Sequence, residues 1–574
     1  VVKAEPLCQN SKVFMKRLYI GCLLSLLFAC SSHAGQKEFP LPRWIEEAIF
    51  YQIYPQSFQD TNGDGIGDIQ GIISRLDYIH SLGCNTIWLN PCFHSAFMDA
   101  GYDVIDFYRV APRYGTNDDL RRLFDEAHQR GMRVVLDLVA GHSSDQSPWF
   151  KYSQKRERNA YTDRYIWTND STVCPDRFVK GDFKRNGSYR KNYFECQPAL
   201  NYGYGNPDPN NPWEQPVSAP GPTATRLELI HIMDYWMQMG CDGFRVDMAG
   251  SLVKNDPDLS GTTALWHSIR THFQELYPEG ILLAEWSNPQ KALKVGFMMD
   301  FIIHFGRTGY RELMFNEAGT YRRDTCYFDV RGVGNPELYI HNLYKCLKVA
   351  DNCGHVCIPT GNHDFQRIRC GRRDTEEQVR TAITFFLTQP GVPCIYYGDE
   401  IGMRFIENLP NKEGSMLSSG NRAGSRTPMQ WDATPGAGFS TASPDKFYLP
   451  LDSFTNRPNV AAQECDSTSQ LHFVRRLLKL RQEYPALACR GDIEFFQEGE
   501  NAYPMVYERR NGDQRILVCI NPSGREVRTV RKYTGSFKTV TPILTEGKPQ
   551  GLRAYKGHLH LDVPELSIGI YQID

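Results

Sequence analysis

Little in this chain leans to one extreme, and each absence narrows its class. Sixty-four Lys and Arg stand against 66 Asp and Glu, a formal net charge of −2. No excess of one sign draws the protein to nucleic acid or to an anionic membrane surface. Internal repeats and low-complexity tracts are missing, which excludes solenoids and disordered linkers. The 17 cysteines never form a paired CxxC…CxxC array, and Cys353-Gly-His-Val-Cys357 lacks the second half of a zinc site. Buried thiols with one or two disulfides are expected, and Cys174 with Cys196, both in one loop-rich stretch, is the expected bridge. Beyond residue 34 no run reaches the ~18 uninterrupted apolar residues of a membrane span.

What is present is a long chain of ordinary globular composition. Its 574 residues exceed one average domain, although a (β/α)8 barrel with insertions absorbs over ~400 residues alone. With 41% hydrophobic residues a large core is available, and whole-chain disorder is excluded. Met15-Lys-Arg17 followed by an apolar run over 18–29 reads as an export signal, and residues 1–14 as an extension ahead of the true start. Leu27-Phe-Ala-Cys30 resembles a bacterial lipoprotein box with Cys30 acylated; ordinary cleavage after Ser32-His-Ala34 is the alternative. The expected location is outside the cytoplasm, periplasmic or as an outer-membrane lipoprotein of a bacterium, with Cys30 the one membrane tether.

After residue 44, short β-branched runs at 49–54, 86–89, 133–138, 243–246, 281–284, 297–301, 356–360 and 392–396 alternate with helical patterns such as 117–130, 226–239, 262–277 and 375–388. Eight strands with crossovers predict a closed parallel (β/α)8 TIM barrel. The Pro-, Gly- and Tyr-rich stretch after the third strand predicts an inserted subdomain. Short strands at 504–508, 515–520, 527–532, 558–563 and 568–571 predict a C-terminal antiparallel β-sandwich. The expected organisation is 1–35 extension and signal, 36–141 first barrel part, 142–223 insertion, 224–494 second barrel part with a long loop at 402–449, and 495–574 sandwich.

Polar residues recur where these strands end. Asp137 lies in the third strand with His142 just beyond; Arg245 and Asp247 end the fourth, Glu285 the fifth, and Asn362-His363-Asp364 follows the seventh. Parallel barrel strands point to one rim, so these residues are predicted to meet. Three carboxylates gathered there raise each other's pKa, a cost characteristic of functional sites. Cleavage of a glycosidic bond needs this set: one carboxylate attacks the anomeric carbon and one carboxylic acid protonates the leaving oxygen. Arg245, two residues before Asp247 on the same strand face, is expected to keep the attacker ionised. The apolar flanks Ala284 and Trp286 are expected to raise Glu285. His142 and His363 are expected to donate hydrogen bonds to hydroxyls of the sugar.

Over roughly residues 44–574 the chain resembles the α-amylase family of glycoside hydrolases. Asp137-Leu-Val-Ala-Gly-His142, Gly243-Phe-Arg-Val-Asp247, Ala284-Glu285-Trp286 and Gly361-Asn-His-Asp364 resemble its four conserved blocks. The resemblance implies Asp247 as nucleophile, Glu285 as acid/base, Asp364 as transition-state stabiliser and a retaining mechanism. Three positions depart from the pattern. Gly141 stands where the first block carries an Asn that supports a calcium site, Ala199 stands where Gln197-Pro-Ala-Leu-Asn201 would carry Asp, and Met248 replaces the Val usual in α-1,6-cleaving kin.

Asp60-Thr-Asn62-Gly-Asp64-Gly-Ile66-Gly-Asp68 alternates oxygen donors, and its glycines permit the tight winding a hard cation needs. Position 12 is Gly71, so it is not an EF-hand. By resemblance to the oligosaccharide-acting branch of the family, Asp60, Asn62, Asp64, the Ile66 carbonyl and Asp68 hold a structural Ca2+; no organic cofactor is expected. Asp99-Ala-Gly-Tyr102-Asp103 resembles the block in which Tyr stacks under the reactive sugar and Asp grips its far hydroxyls. In Asn421-Arg-Ala-Gly-Ser-Arg426, resemblance implies that Arg426 pairs with Asp99 and closes the site behind the terminal sugar, while Arg422 reads as part of a surface turn. The function implied is retaining, exo-acting hydrolysis of malto-oligosaccharides or related α-glucans. Glucosyl transfer or isomerisation of the trehalose synthase kind shares the intermediate and stays open. A non-catalytic glucan-binding protein is the alternative of another class.

Overall fold

The computed structural model describes residues 40–410, 412, 422–496 and 502–574. The export signal and Cys30 lie outside them, as does Asn421. Among the described residues no helix is long and apolar enough to cross a membrane.

Eight parallel strands close into a barrel: β1 (Phe50–Ile53), β2 (Thr86–Leu89), β3 (Arg133–Leu138), β4 (Gly243–Val246), β5 (Ile281–Ala284), β6 (Met299–Phe301), β7 (His355–Pro359) and β8 (Val392–Tyr396). Each pairs with its neighbours in sequence, and β8 closes on β1. Apart from Arg133 every one of these strand residues is buried, because the barrel interior covers one face and helices the other. The helical patterns become α1 (Asn117–Gln129), α2 (Pro220–Gln238), α3 (Ser260–Leu276), α4 (Glu337–Cys353) and α5 (Glu376–Thr388). Local chemistry sets their starts. Thr116 with Asp119 and Thr375 with Gln378 form reciprocal capping boxes at α1 and α5. Along α1, Leu120, Leu123, Phe124 and Ala127 make the buried stripe. Helix α2 begins six residues before the pattern predicts because Pro220 occupies its first turn, where a missing N–H costs nothing.

The C-terminal strands are β9 (Asp492–Phe495), β10 (Met505–Asn511), β11 (Gln514–Asn521), β12 (Val527–Lys532), β13 (Val540–Glu546), β14 (Gly551–Tyr555), β15 (His558–Val563) and β16 (Ser567–Ile573). They form antiparallel sheets in the orders β9-β10-β11-β16-β13 and β12-β15-β14. Val506, Leu517 and Cys519 of one sheet pack with Leu559, Leu561 and Val563 of the other, giving the sandwich its own core. Three of these strands, β9, β13 and β14, escape the sequence pattern. Strand β13 contains Pro542 at an irregularity of register on a sheet edge, and β14 is largely exposed, with no run of apolar residues.

Between β3 and β4 the chain makes one short helix, Pro148–Ser153, and the two-residue strands Phe178–Val179 and Tyr189–Arg190. The expected Cys174–Cys196 bridge is not formed; both thiols are free. Cys174 turns to the Phe178 carbonyl at 3.5 Å, whereas Cys196 sits within the field of Asp103, Asp145 and Asp99, so the two side chains serve different surroundings.

Candidate active site

The strand ends deliver their polar residues to one rim. Asp137 and Arg245 are direct neighbours on β3 and β4, Asp247 follows β4, Glu285 follows β5 and Asp364 lies five residues past β7. Arg245 ties Asp137, Asp247 and Glu285 together. Its Nη1 lies 2.6 Å from Asp137 Oδ1 and 3.4 Å from Asp247 Oδ1, and its Nη2 lies 2.5 Å from Glu285 Oε1. It is buried beneath the cavity and does not line it, so its part is to hold carboxylates.

Asp247 and Glu285 meet at one guanidinium, on Arg245 Nη1 and Nη2 respectively. Burial first, then the Glu285 carboxylate, raises the Asp247 carboxyl well above the usual range, with Arg245 pulling the other way. The Met248 N–H also reaches Glu285 Oε2, at 3.1 Å.

Asp364 receives Arg422 Nη1 at 2.7 Å and Arg426 Nη2 at 3.1 Å on its Oδ1. Burial opposes its ionisation, but His363 and both guanidiniums outweigh burial and hold the carboxyl far below the usual range. Arg422 Nη2 also lies 3.5 Å from Asp99 Oδ1, and Gln197 Nε2 donates to Asp99 Oδ2 at 2.7 Å. Two expectations are corrected here. Arg422 is no surface turn residue but the bridge between Asp99 and Asp364. Arg426 makes its ion pair with Asp364 and donates from Nε to the His363 carbonyl at 2.7 Å, being held inward by the 3-10 turn Ala423–Ser425.

The two histidines are also more engaged than predicted. His142 places Nε2 2.8 Å from the Tyr102 carbonyl and Nδ1 3.0 Å from the Asn192 amide nitrogen, so Nε2 carries the proton and is already used. Burial pushes it down to about 4, leaving it neutral. His363 accepts at Nδ1 from Gln52 and Asn90 and faces the Tyr102 hydroxyl with Nε2 at 2.8 Å. Its ring stacks on Tyr102, 5.4 Å between centroids, and is fully buried, behind the cavity wall that Tyr102 forms. It supports the tyrosine.

The cavity over these groups holds about 600 Å³, within the ~300–1,000 Å³ of small-molecule sites. Asp99, Tyr102, His142, Asp247, Glu285, Asp364 and Arg422 line its base, and Tyr193, Trp286, Phe305 and Tyr321 add aromatic faces. The sequence argument named Trp286 only as a flank of Glu285 and missed Tyr193, Phe305 and Tyr321, since single aromatics carry no spacing signal.

At the Gly141 departure, an added Cβ would come 2.8 Å from the Asn192 amide nitrogen. Asn192 fills that space, and the buried Lys254 Nζ lies 3.1 Å from its Oδ1. Burial pushes that amine down to about 7.

In the 60–68 loop, Gly63 and Gly65 take φ of 77° and 88°, and Asn62 and Asp64 each accept the N–H two residues on, at 2.9 and 2.8 Å. Asp60 accepts from Asn62, Gly63 and Gly65 N–H groups, and Asp68 from Thr61 and Gly71. An all-oxygen donor set on a tightly wound loop fits a hard cation, although among the described residues no three His, Cys, Asp or Glu side chains stand together as a metal-holding group.

Comparison with known proteins agrees with this architecture. The family described as "Alpha amylase, catalytic domain" matches residues 52–489. The chain is 30% identical over 560 residues to the trehalose synthase/amylase TreS of Mycobacterium tuberculosis, covering 88% of this chain and 86% of that protein. It is 30% identical over 536 residues to the oligo-1,6-glucosidase of Heyndrickxia coagulans, covering 85% and 93%. The solved trehalulose synthase MutB of Pseudomonas mesoacidophila MX-45 superposes with a TM-score of 0.74 at 25% identity, over 93% of this chain and all of that one. From its barrel, the acids on its rim and these relatives, the chain belongs to the alpha-amylase family of glycoside hydrolases.

Proposed function

We propose that the site cleaves α-glucosidic bonds of malto-oligosaccharides or related α-glucans by double displacement. Asp247 attacks the anomeric carbon as the C1–O bond breaks, and Glu285 gives its proton to the departing oxygen. Water then attacks the same carbon, losing a proton to Glu285 and releasing Asp247. Asp364, kept anionic by Arg422 and Arg426, stabilises the cationic transition state between. The observation that carries this reading is that one guanidinium holds both acids, Arg245 Nη1 lying 3.4 Å from Asp247 Oδ1 and Nη2 2.5 Å from Glu285 Oε1, which supports the ~5–5.5 Å spacing of a retaining pair over the ~6.5–9.5 Å of an inverting one. Proton NMR of the first product tests it, with retained α configuration expected and inversion decisive against it.

Exo action follows from Arg422, which joins Asp99 to Asp364 across one end of the cavity. Asp99 and Tyr102 would hold the terminal sugar there. Mid-chain cleavage of a blocked maltodextrin without glucose release would overturn it.

A second reading, glucosyl transfer or isomerisation, draws support from the aromatic faces of Trp286, Phe305 and Tyr321, which can retain a leaving sugar, and from the relative named trehalose synthase/amylase. Incubation with maltose distinguishes them: trehalose marks transfer, glucose alone hydrolysis.

We further propose that Asp60, Asn62, Asp64, the Ile66 carbonyl and Asp68 hold a structural Ca2+, and that the protein is exported by its N-terminal signal, with Cys30 as lipid attachment or Ala34 as cleavage point. Intact mass of the mature protein decides between the last two.

A further inference from the structure

Asp300 belongs to no site described so far. It sits on β6 in register with Ala284, the last residue of β5, completely buried. Its carboxylate accepts four backbone N–H bonds. Oδ1 takes Trp286 at 2.9 Å, Ser287 at 3.2 Å and Phe301 at 2.8 Å, and Oδ2 takes Asn288 at 2.7 Å. Three of the four come from the turn that directly follows Glu285. Successive N–H groups aimed at one anion form a nest, and each bond is charge-assisted. The turn needs an anchor, because Ser287 holds a φ of 59°, a left-handed conformation costing a non-glycine residue ~1–2 kcal/mol. The same turn seats Trp286 so closely over Gly250 that a Cβ there would fall 2.2 Å from the indole.

We propose that Asp300 is a positioning residue for the acid/base Glu285, fixing residues 286–288 so that the Glu285 carboxyl and the Trp286 ring are presented together at the scissile bond. The inference rests on the reading of Glu285 as acid/base. Asp300 touches no substrate; it acts through the backbone of the turn. Misplacing a proton donor by a fraction of an ångström is costly to catalysis while leaving the fold intact.

The test compares the wild type with Asp300→Asn at pH 8, above the value of about 7 to which burial pushes the Asp300 carboxyl against its four N–H donors. Maltose requires protonation of its leaving sugar, whereas α-glucosyl fluoride loses fluoride without it. In Asp300→Asn, kcat/KM for maltose is expected to fall at least tenfold, while the first-turnover burst of fluoride changes less than threefold and amide exchange at 286–288 accelerates. An equal fall on both substrates, or none on either, overturns the proposal. Asp300→Ser is read the same way if the Asn variant does not fold. Glu285→Gln is the control. If it fails to show the same split between substrates, the reading of Glu285 is what has failed; if it shows the split and Asp300→Asn does not, the positioning role has.

Discussion

Arg422 Nη1 lies 2.7 Å from Asp364 Oδ1, an ion pair that joins the long segment after β8 to the end of β7. Charge-assisted bonds of this kind contribute ~1.5–3 kcal/mol. Arg422→Ala is expected to lower kcat/KM about 10- to 100-fold and to move the acid limb of its pH profile upward. The sign follows from Asp364. Its folded carboxyl is held below the unfolded one, so its ionised form is favoured down to low pH, and losing one cation brings protonation to higher pH. A profile that keeps its acid limb in Arg422→Ala would contradict this.

Asp247→Asn is expected to reduce turnover by about 10⁴-fold or more, as for other covalent nucleophiles. It should also raise Tm at neutral pH. Asp247 has a folded pKa above its unfolded value, so the folded state gains relative stability as pH falls and loses it as pH rises through the interval between the two values. An amide removes that neutral-pH penalty. Melting curves at pH 4 and pH 7.5 check it: the stabilisation should appear at 7.5 and shrink at 4.

Arg245→Met leaves three carboxylates buried without their cation. Breaking a buried ion pair from one side costs ~3–5 kcal/mol, and denaturant unfolding should show a loss of that order. A variant as stable as the wild type would mean that the acids are neutral in the folded state.

If Ca2+ occupies the 60–68 loop, chelation should lower Tm and added Ca2+ restore it. A ligand at 100 times its Kd stabilises by ~2.7 kcal/mol. The loop is already clasped to the segment after β8, since Asp60 N–H donates to the Phe439 carbonyl at 2.8 Å and Ser440 Oγ to Asp60 Oδ2 at 2.5 Å. Asp64→Ala should abolish the calcium response without unfolding that clasp.

The barrel was legible because its strands are short, buried and β-branched, and their period survives in one dimension. So were the acids at their ends, since parallel topology converts sequence position directly into a place on the rim. Arg422 was not, because nothing in Asn421-Arg-Ala-Gly-Ser-Arg426 says which guanidinium turns inward; the 3-10 turn between the two arginines settles that. Asp300 reads in sequence as one polar residue inside an apolar strand, and only the neighbouring strand's turn reveals what it binds.

The single guanidinium of Arg245 has a consequence for how this site can change. Asp137, Asp247 and Glu285 arrive on three separate strands yet draw on one shared charge, so replacing any of them alters what the others experience. Substitution effects at these four positions should therefore fail to add, and a route to altered chemistry would have to move the quartet as a unit and not one member at a time.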